Sequence, residues 1–356
     1  MSLAAGQRAR EELSRWDDYN LTPLRHFRDA AAEAGLADIL YKDESGRFGL
    51  GSFKALGGAY ASGLALRRWL GAAHETLPSD HRAWPPEWTA GVTLACATDG
   101  NHGRSVAYGA RRYGCRCVVY MHEKAPEEKA EAIAALGATV VRTSGSYDNS
   151  VRHALAEASA RTDWILVPDT SHDPDDPTPA EVMQGYVVMA LELFEQFEEP
   201  PTHLFVQAGV GGLAGALAGA FAEKYGPRRP TFIVVQPDAA GCLYETARRG
   251  ELTTVSGSLE TAMEMLSCGE ASALAWMILR QRADVFLTVG DDLAISMTER
   301  LRRAEGDRPA LDIGVSGAAS IAGLYAARAD PLVRAKLELG QNARVLTIGT
   351  EGAPIR

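Results

Sequence analysis

Residues 203–221, HLFVQAGVGGLAGALAGAF, decide the fold of this chain. An apolar run typical of a buried strand ends near Gln207, three glycines follow between positions 209 and 212, and an alanine-rich helical pattern begins directly afterwards. In open parallel sheets, ligands bind beyond the carboxyl ends of the strands. Glycine-rich backbone at a helix N-terminus presents converging amides, which suits a phosphate. The alternative is close helix–strand packing through small residues, and the spacing alone favours neither interpretation.

The same alternation extends along the chain. Runs rich in Val, Ile, Leu and Thr alternate with Ala-, Glu- and Arg-rich helical stretches, which predicts βαβ units, mostly parallel sheets and an α/β fold. The length of 356 residues is enough for two domains. A net charge of −10 disfavours nucleic acids and anionic membranes as partners. With no bilayer-spanning stretch and no secretory signal, we expect a cytoplasmic protein that acts on a small molecule.

No metal centre is expected from the cysteines. The chain has five, an odd number that does not suggest a disulfide framework. Cys115 and Cys117 lie in a strand-like run without further ligands at suitable spacing, so we interpret them as thiols in a sheet.

A second glycine-bearing turn lies in residues 93–110, TLACATDGNHGRSVAYGA. A strand ends near Cys96 or Ala97, and residues 98–103 lead into a helix. Backbone amides in this turn can bind a carboxylate by the same logic as a phosphate. Structural alternatives are that Asp99 caps the helix and that His102 is a packed core histidine.

The third segment is residues 42–66, KDESGRFGLGSFKALGGAYASGLAL. It places Lys54 between Phe53 and Ala55, where a helix is predicted to begin. Taken alone, the segment favours a lysine that reaches the surface. A desolvated lysine with a depressed pKa is, however, what Schiff-base chemistry requires.

Together the three segments resemble the fold-type II pyridoxal-5′-phosphate (PLP) enzymes, such as threonine dehydratase and serine racemase. SFKALGGAYA resembles their S-F-K-x-R-G-A lysine motif, ATDGNHG their S-x-G-N-H turn, and AGVGGLAG their glycine-rich phosphate loop. The resemblance extends from about Tyr41 to Gly352 and keeps the motif order. It implies two parallel-type α/β domains with the cofactor in the cleft between them. The large PLP-binding domain would comprise residues 1–56 and 163–356, and the small inserted domain residues 57–162.

Within that class the chain resembles the diaminopropionate ammonia-lyases. The resembling stretches are YKDESGRFGLGSFKALGG, ATDGNHGRSVAYGAR, PDTS, VMQGY, CGEASALAW and GTEGA. Relatives that dehydrate serine or threonine usually carry a small neutral residue where Asp99 stands. This difference favours the lyase.

The resemblance also implies roles for individual residues. Lys54 would hold PLP and later take the Cα proton, Asn101 would bind the 3′ oxygen of the cofactor, and Thr350 would face its ring nitrogen. The implied cofactor contacts are Phe53, Lys54, Asn101, Gly209, Val210, Gly211, Gly212, Leu213 and Thr350. A neutral hydroxyl at the ring nitrogen leaves the ring unprotonated, which favours β-elimination over transamination.

The turn after residue 97 would bind the substrate. Its implied substrate contacts, together with one acid further along the chain, are Thr98, Asp99, Gly100, His102 and Asp169. Asp99 would be a second acid/base, and Asp169 a partner for the β-ammonium of the substrate. For Asp169, a turn or helix-capping role is almost equally favoured.

The expected reaction is β-elimination of ammonia from 2,3-diaminopropionate, giving pyruvate and ammonia, in a homodimer. One alternative is a dehydratase of the same fold acting on serine, threonine or 3-hydroxyaspartate, which Asp99 and CGEASALAW disfavour. A β-replacement synthase would share all the cofactor motifs. A PLP-binding protein without turnover is disfavoured by the joint presence of Lys54, Asn101 and Thr350.

Overall fold

The structure is a computed structural model that describes residues 2–98, 100–145, 147–171, 173 and 175–353, with the backbone alone at 147 and 148. The strands within these residues are β1 (Leu24–His26), β2 (Asp38–Asp43), β3 (Thr93–Ala97), β4 (Arg116–His122), β5 (Thr139–Thr143), β6 (Trp164–Leu166), β7 (His203–Gln207), β8 (Thr231–Pro237), β9 (Val285–Val289) and β10 (Arg344–Gly349). The α-helices are α1 (Leu3–Leu13), α2 (Arg28–Glu33), α3 (Ala55–Gly71), α4 (Pro86–Thr89), α5 (Asn101–Tyr113), α6 (Glu127–Ala134), α7 (Tyr147–Ser159), α8 (Thr178–Gln196), α9 (Gly212–Tyr225), α10 (Cys242–Arg249), α11 (Ala273–Arg282), α12 (Asp291–Leu301), α13 (Val315–Ala329) and α14 (Pro331–Lys336).

The larger sheet has the strand order β1-β2-β10-β7-β8-β9. All of its strands are parallel except β1, which runs antiparallel to β2 at one edge. Every residue of β7 is buried, and β8 and β10 are buried beyond their first residue. Strands that helices cover on both faces have no side facing water, which explains why these runs are continuously apolar.

The core of this part of the chain lies between the larger sheet and helix α13. Phe205 and Ile233 from the sheet belong to one apolar cluster with Ile321 and Leu324 from the helix, and each is at most 3% exposed. Burying a side chain of this size contributes roughly 1.5–3 kcal/mol relative to leaving it in water.

The smaller sheet has the order β5-β4-β3-β6 and is entirely parallel. Helices α5 and α7 pack against it, and α3 packs closely along α5. The close approach depends on small residues, since a Cβ on Gly58 would overlap the Ser105 side chain. This packing places the start of α3 beside the start of α5, where two of the sequence motifs lie.

The described residues form two compact units, one of residues 2–53 and 186–353, the other of residues 54–185. The first holds the larger sheet and the second the smaller one. The second unit extends past the predicted limits of 57–162, because β6 at Trp164–Leu166 pairs with β3. No helix of the described residues is long and apolar enough to cross a membrane.

Candidate active site

Lys54 immediately precedes α3, in a helical backbone conformation. Its carbonyl accepts hydrogen bonds from the amides of Gly57 and Gly58 at 3.1 and 2.9 Å. Its side chain is 25% exposed, and Nζ lies 3.0 Å from Oδ2 of Asp169. A Cβ on Gly185 of α8 would overlap the Leu56 carbonyl, so this helix passes directly against the first turn of α3. The lysine is therefore held at a fixed helix start, with a carboxylate as partner.

Asp169 is ionised in this arrangement. Burial by itself raises the pKa of a carboxyl group, but the Lys54 ammonium outweighs burial and holds the pKa of Asp169 below its usual range. The pair is thus an ammonium facing a carboxylate, and Asp169 can accept hydrogen bonds from a cation near neutral pH.

His102 ties the start of α5 to the segment that carries Asp169. Its side chain is buried, and Nε2 lies 2.8 Å from the carbonyl oxygen of Val167, two residues before Asp169. Burial lowers the pKa of His102, so the ring is neutral and its Nε2–H donates to that carbonyl. Through Nε2 the side chain therefore positions a strand end, while Nδ1 is buried without a hydrogen-bond partner among the described residues.

The turn between β3 and α5 begins at Thr98, whose hydroxyl accepts a hydrogen bond from the amide of Gly100 at 3.1 Å. Asn101 is the first residue of α5 and is half-buried. A Cβ on Gly103 would overlap the Thr98 side chain, so the helix starts tightly against the turn. Asp99, the predicted second acid/base, lies outside the described residues.

In the other unit, the glycine loop follows β7. Gly211 has a φ of +102°, which favours glycine, and it caps the N-terminus of α9. The loop carbonyls are all occupied. Gln236 Nε2 lies 3.0–3.2 Å from those of Ala208 and Gly209, Ser272 donates to Val210, and Gly215 donates to Gly211.

The amides of this loop differ from its carbonyls. Among the described residues, no acceptor is recorded for the amides of Gly209, Val210, Gly211, Gly212 and Leu213. Successive unoccupied donors at a helix N-terminus form an anion-binding site. The loop therefore fits the phosphate of PLP.

Packing also requires these glycines. A Cβ on Gly209 would lie 2.9 Å from Cys268 Sγ, and one on Gly211 would lie 2.9 Å from Leu243 Cδ1. The two interpretations of the sequence therefore coexist. Tight packing shapes the backbone, and the shaped backbone leaves its amides available to an anion.

Thr350 directly follows β10, the strand beside β7, and is 5% exposed. Its carbonyl accepts from the amide of Phe53 at 3.2 Å, and its hydroxyl lies 2.9 Å from Gln207 Nε2. The ring of Phe53 packs against Tyr186, with ring centroids 4.8 Å apart. Within this unit the structure thus places Thr350, Phe53 and the glycine loop around the carboxyl ends of adjacent strands.

A second cluster of charges lies in the segment before Phe53. Lys42, Glu44, Arg47 and Glu192 have side chains that are 0% exposed. Arg47 Nη2 contacts Glu44 and Glu192 at 2.8 and 2.7 Å, and Lys42 Nζ contacts Glu192 at 2.8 Å. We call these four residues the buried charge cluster. It fixes the turn after β2 against α8.

Sequence reasoning missed the buried charge cluster and the roles of two glutamines near strand ends, Gln207 and Gln236. The glutamines had a detectable signal, since each is a polar residue at the end of an apolar run. For the buried charge cluster, no feature of the sequence indicates that Glu192 contacts Arg47.

Parallel sheets with an anion-binding glycine loop and a lysine–carboxylate pair define an enzyme that binds a small phosphorylated cofactor. The family model described as "Pyridoxal-phosphate dependent enzyme" matches residues 16–351. The chain belongs to this family. The predictions of the cofactor, of the fold-type II fold and of a PLP-dependent enzyme are therefore confirmed.

Individual relatives agree with this assignment. The diaminopropionate ammonia-lyase of Escherichia coli strain K12 is 38% identical over 342 residues, which are 94% of this chain and 85% of that protein. The E. coli diaminopropionate ammonia-lyase solved with an aminoacrylate–PLP azomethine intermediate has a TM-score of 0.88 and 36% identity, covering 99% of this chain and 89% of that one. The same enzyme solved with D-serine has a TM-score of 0.88 and 35% identity over the same shares. The predicted resemblance to this group of lyases is confirmed.

Proposed function

We propose that this protein eliminates the β-amino group of 2,3-diaminopropionate. The overall reaction takes up one water and yields one pyruvate and two molecules of ammonia. The observation that carries the proposal is the ionised carboxylate of Asp169, 3.0 Å from the family's lysine, Lys54. A substrate with a second ammonium group gains an ion pair at such a carboxylate, and serine does not. The similarity to diaminopropionate ammonia-lyases over 94% of the chain supports the same substrate.

The cofactor supplies, when bound, the electron sink that makes the Cα proton of an amino acid acidic. We assign its phosphate to the amides of residues 209–213, its ring nitrogen to Thr350 and its 3′ oxygen to Asn101. Phe53 precedes Lys54 in the chain, donates its amide to the Thr350 carbonyl and would border the ring. Lys54 is the attachment point.

Lys54 is also the general base in this proposal. With the cofactor and the substrate bound, its Nζ would take the Cα proton. The substrate carboxylate binds to the amides of the turn formed by Thr98, Gly100 and His102. Asp169 pairs with the β-ammonium, and Asp99 is the second acid/base. The released 2-aminoacrylate hydrolyses in water to pyruvate and ammonia.

A dehydratase of the same fold is the second candidate. It would act on serine, threonine or 3-hydroxyaspartate. The E. coli relative has been solved with D-serine bound, which supports the dehydratase as a second candidate. The two candidates differ in stoichiometry, because a hydroxy amino acid yields one ammonia per pyruvate and 2,3-diaminopropionate yields two.

The proposal is tested by incubating the PLP-loaded protein with L- and D-2,3-diaminopropionate, serine, threonine and 3-hydroxyaspartate. Pyruvate and ammonia are measured together. We expect the fastest release from 2,3-diaminopropionate at two ammonia per pyruvate. Faster release from serine or threonine would replace the proposal by the dehydratase, and no release from any of them would leave a PLP-binding protein.

We also propose a cytoplasmic homodimer. The family resemblance supports the dimer, and the acidic net charge of −10 is compatible with a cytoplasmic location. Light scattering on the purified protein measures the oligomeric state directly.

A further inference from the structure

Two glutamines lie at the ends of neighbouring strands of the larger sheet, Gln207 as the last residue of β7 and Gln236 as the residue before the last of β8. Gln236 of β8 uses both ends of its amide, donating to the carbonyls of the glycine loop and accepting from the amides of Leu243 and Tyr244 at 2.8 and 2.9 Å. It shapes the phosphate loop. Gln207, the last residue of β7, points its amide nitrogen at a different set of oxygens.

Four oxygens surround Nε2 of Gln207, which is 2% exposed. They are the carbonyls of Ser316 at 3.2 Å, Gly317 at 3.1 Å and Ile348 at 2.9 Å, and Oγ1 of Thr350 at 2.9 Å. Three of these atoms can only accept hydrogen bonds. Turning the amide over would place its oxygen against three carbonyl oxygens, so the nitrogen must face them.

This orientation decides how Thr350 is bonded. An amide nitrogen has two protons, and the two nearest acceptors are the Ile348 carbonyl and the Thr350 hydroxyl, both at 2.9 Å. Thr350 Oγ1 therefore accepts from Gln207. A hydroxyl that accepts here keeps its own single proton to donate elsewhere.

We propose that Gln207 is a positioning residue that orients the Thr350 hydroxyl so that its proton points toward the cofactor's ring nitrogen. A hydroxyl donor requires an unprotonated nitrogen as acceptor, so the pair Gln207–Thr350 keeps the ring a weak electron sink. A weak electron sink favours elimination over transamination. The inference rests on the role that we propose for Thr350, and it is independent of which amino acid is the substrate.

A double-mutant cycle on PLP binding tests the inference. Gln207→Met, which keeps the length of the side chain, is made in the wild type and in Thr350→Val. The dissociation constant of PLP and the ¹⁵N shift of its labelled ring nitrogen are measured on each protein. In the wild type we expect Gln207→Met to weaken PLP binding by a factor of about 3 to 10 and to move the ring-nitrogen signal. In Thr350→Val the same change should have no further effect on either quantity.

Each other outcome has its own meaning. Equal losses from Gln207→Met in both backgrounds would overturn the inference, since Gln207 would then act through packing. No change of the ring-nitrogen signal in Thr350→Val would instead refute the proposed role of Thr350. Gln236→Leu is the matched control, and its loss of PLP affinity should be the same with and without Thr350. Gln207→Leu repeats the cycle if the methionine variant does not fold.

Discussion

Two lysine-containing charge networks in this protein use similar residues for opposite purposes. Lys54 and Asp169 form a pair with side chains 25% and 22% exposed. In the buried charge cluster, the side chain of Lys42 is 0% exposed, and each of its three protons has an acceptor in Thr22, Glu192 or Gln196. A lysine that solvent and ligands can reach is available for chemistry. A lysine whose donors are all occupied, such as Lys42, instead holds the backbone in place.

Electrostatics separates the two networks as well. Burial lowers the pKa of Lys42 even though two carboxylates oppose it, which is the cost of taking an ammonium out of water. Arg47 and Lys42 outweigh the burial of Glu192 and lower the pKa of its carboxyl group. The cluster balances two cations against two anions, so removal of any one member leaves an uncompensated buried charge.

Lys54→Ala should have the largest effect on activity. We expect turnover to fall at least about ten-thousandfold, because the proposed general base and the proposed attachment point of the cofactor would be lost together. Borohydride reduction should fix PLP to the peptide containing Lys54 in the wild type and to no peptide in the variant. Lys42→Met is the contrasting change, and fixation at Lys54 should persist in whatever fraction of that variant folds. Fixation at another lysine would refute the assignment.

Asp99→Asn should have the second-largest effect on activity. A single general base is worth a factor of about 10² to 10⁴ in rate. We expect a loss in that range for D-2,3-diaminopropionate, with a smaller loss for the L-isomer, because in our proposal Lys54 would take the Cα proton from one face and Asp99 from the other. Steady-state kinetics on the separate isomers measures this. Unchanged rates on both isomers would remove Asp99 from the mechanism.

Arg47→Met should act on stability. Breaking a buried charge network by removing one partner costs about 3–5 kcal/mol in the free energy of unfolding. The control is Arg10→Met, which removes the ion pair between Arg10 and the 56% exposed Glu195 on the same helix as Glu192. An exposed pair contributes at most about 1 kcal/mol. Urea unfolding of both variants gives the comparison, and equal losses would show that burial of the cluster does not matter.

The smallest expected effect is on acid stability. The pKa of Glu192 is lowered from 4.5 in the folded protein, so its stabilising contribution is complete above 4.5 and is lost as the pH falls through the folded pKa. Between about pH 5 and pH 3, the wild type should lose on the order of 1 kcal/mol more unfolding free energy than Glu192→Gln. Parallel pH profiles for the two proteins would contradict the lowered pKa of Glu192.

Of the two lysine networks, the sequence predicted the site around Lys54 but not the buried charge cluster around Lys42. The apolar runs and glycine turns indicated parallel sheets, and the motif around Lys54 indicated the cofactor. The local pattern of the glycine loop, a strand followed by glycines and a helix, left phosphate binding and packing equally favoured, and the family resemblance implied the phosphate.

The rest depends on contacts between distant parts of the chain. Glu192 meets Arg47 across 145 residues, and Gln207 meets Thr350 across 143. The role of the His102 side chain could not be predicted either. Its acceptor is the backbone carbonyl of Val167, and any residue type at position 167 would supply that carbonyl. The small unit extends past residue 162 because β6 pairs with β3, a pairing that the sequence leaves open.

The central claim is that the carboxylate beside Lys54 selects a substrate with a second amine, and Asp169→Asn tests it most directly. The measurement is the ratio of kcat/KM for 2,3-diaminopropionate to that for serine, in the wild type and in the variant. Because a charged hydrogen bond is worth about 1.5–3 kcal/mol, we predict a wild-type preference for 2,3-diaminopropionate that falls about 10- to 100-fold in Asp169→Asn. An unchanged ratio, or a wild type that prefers serine, would contradict the claim.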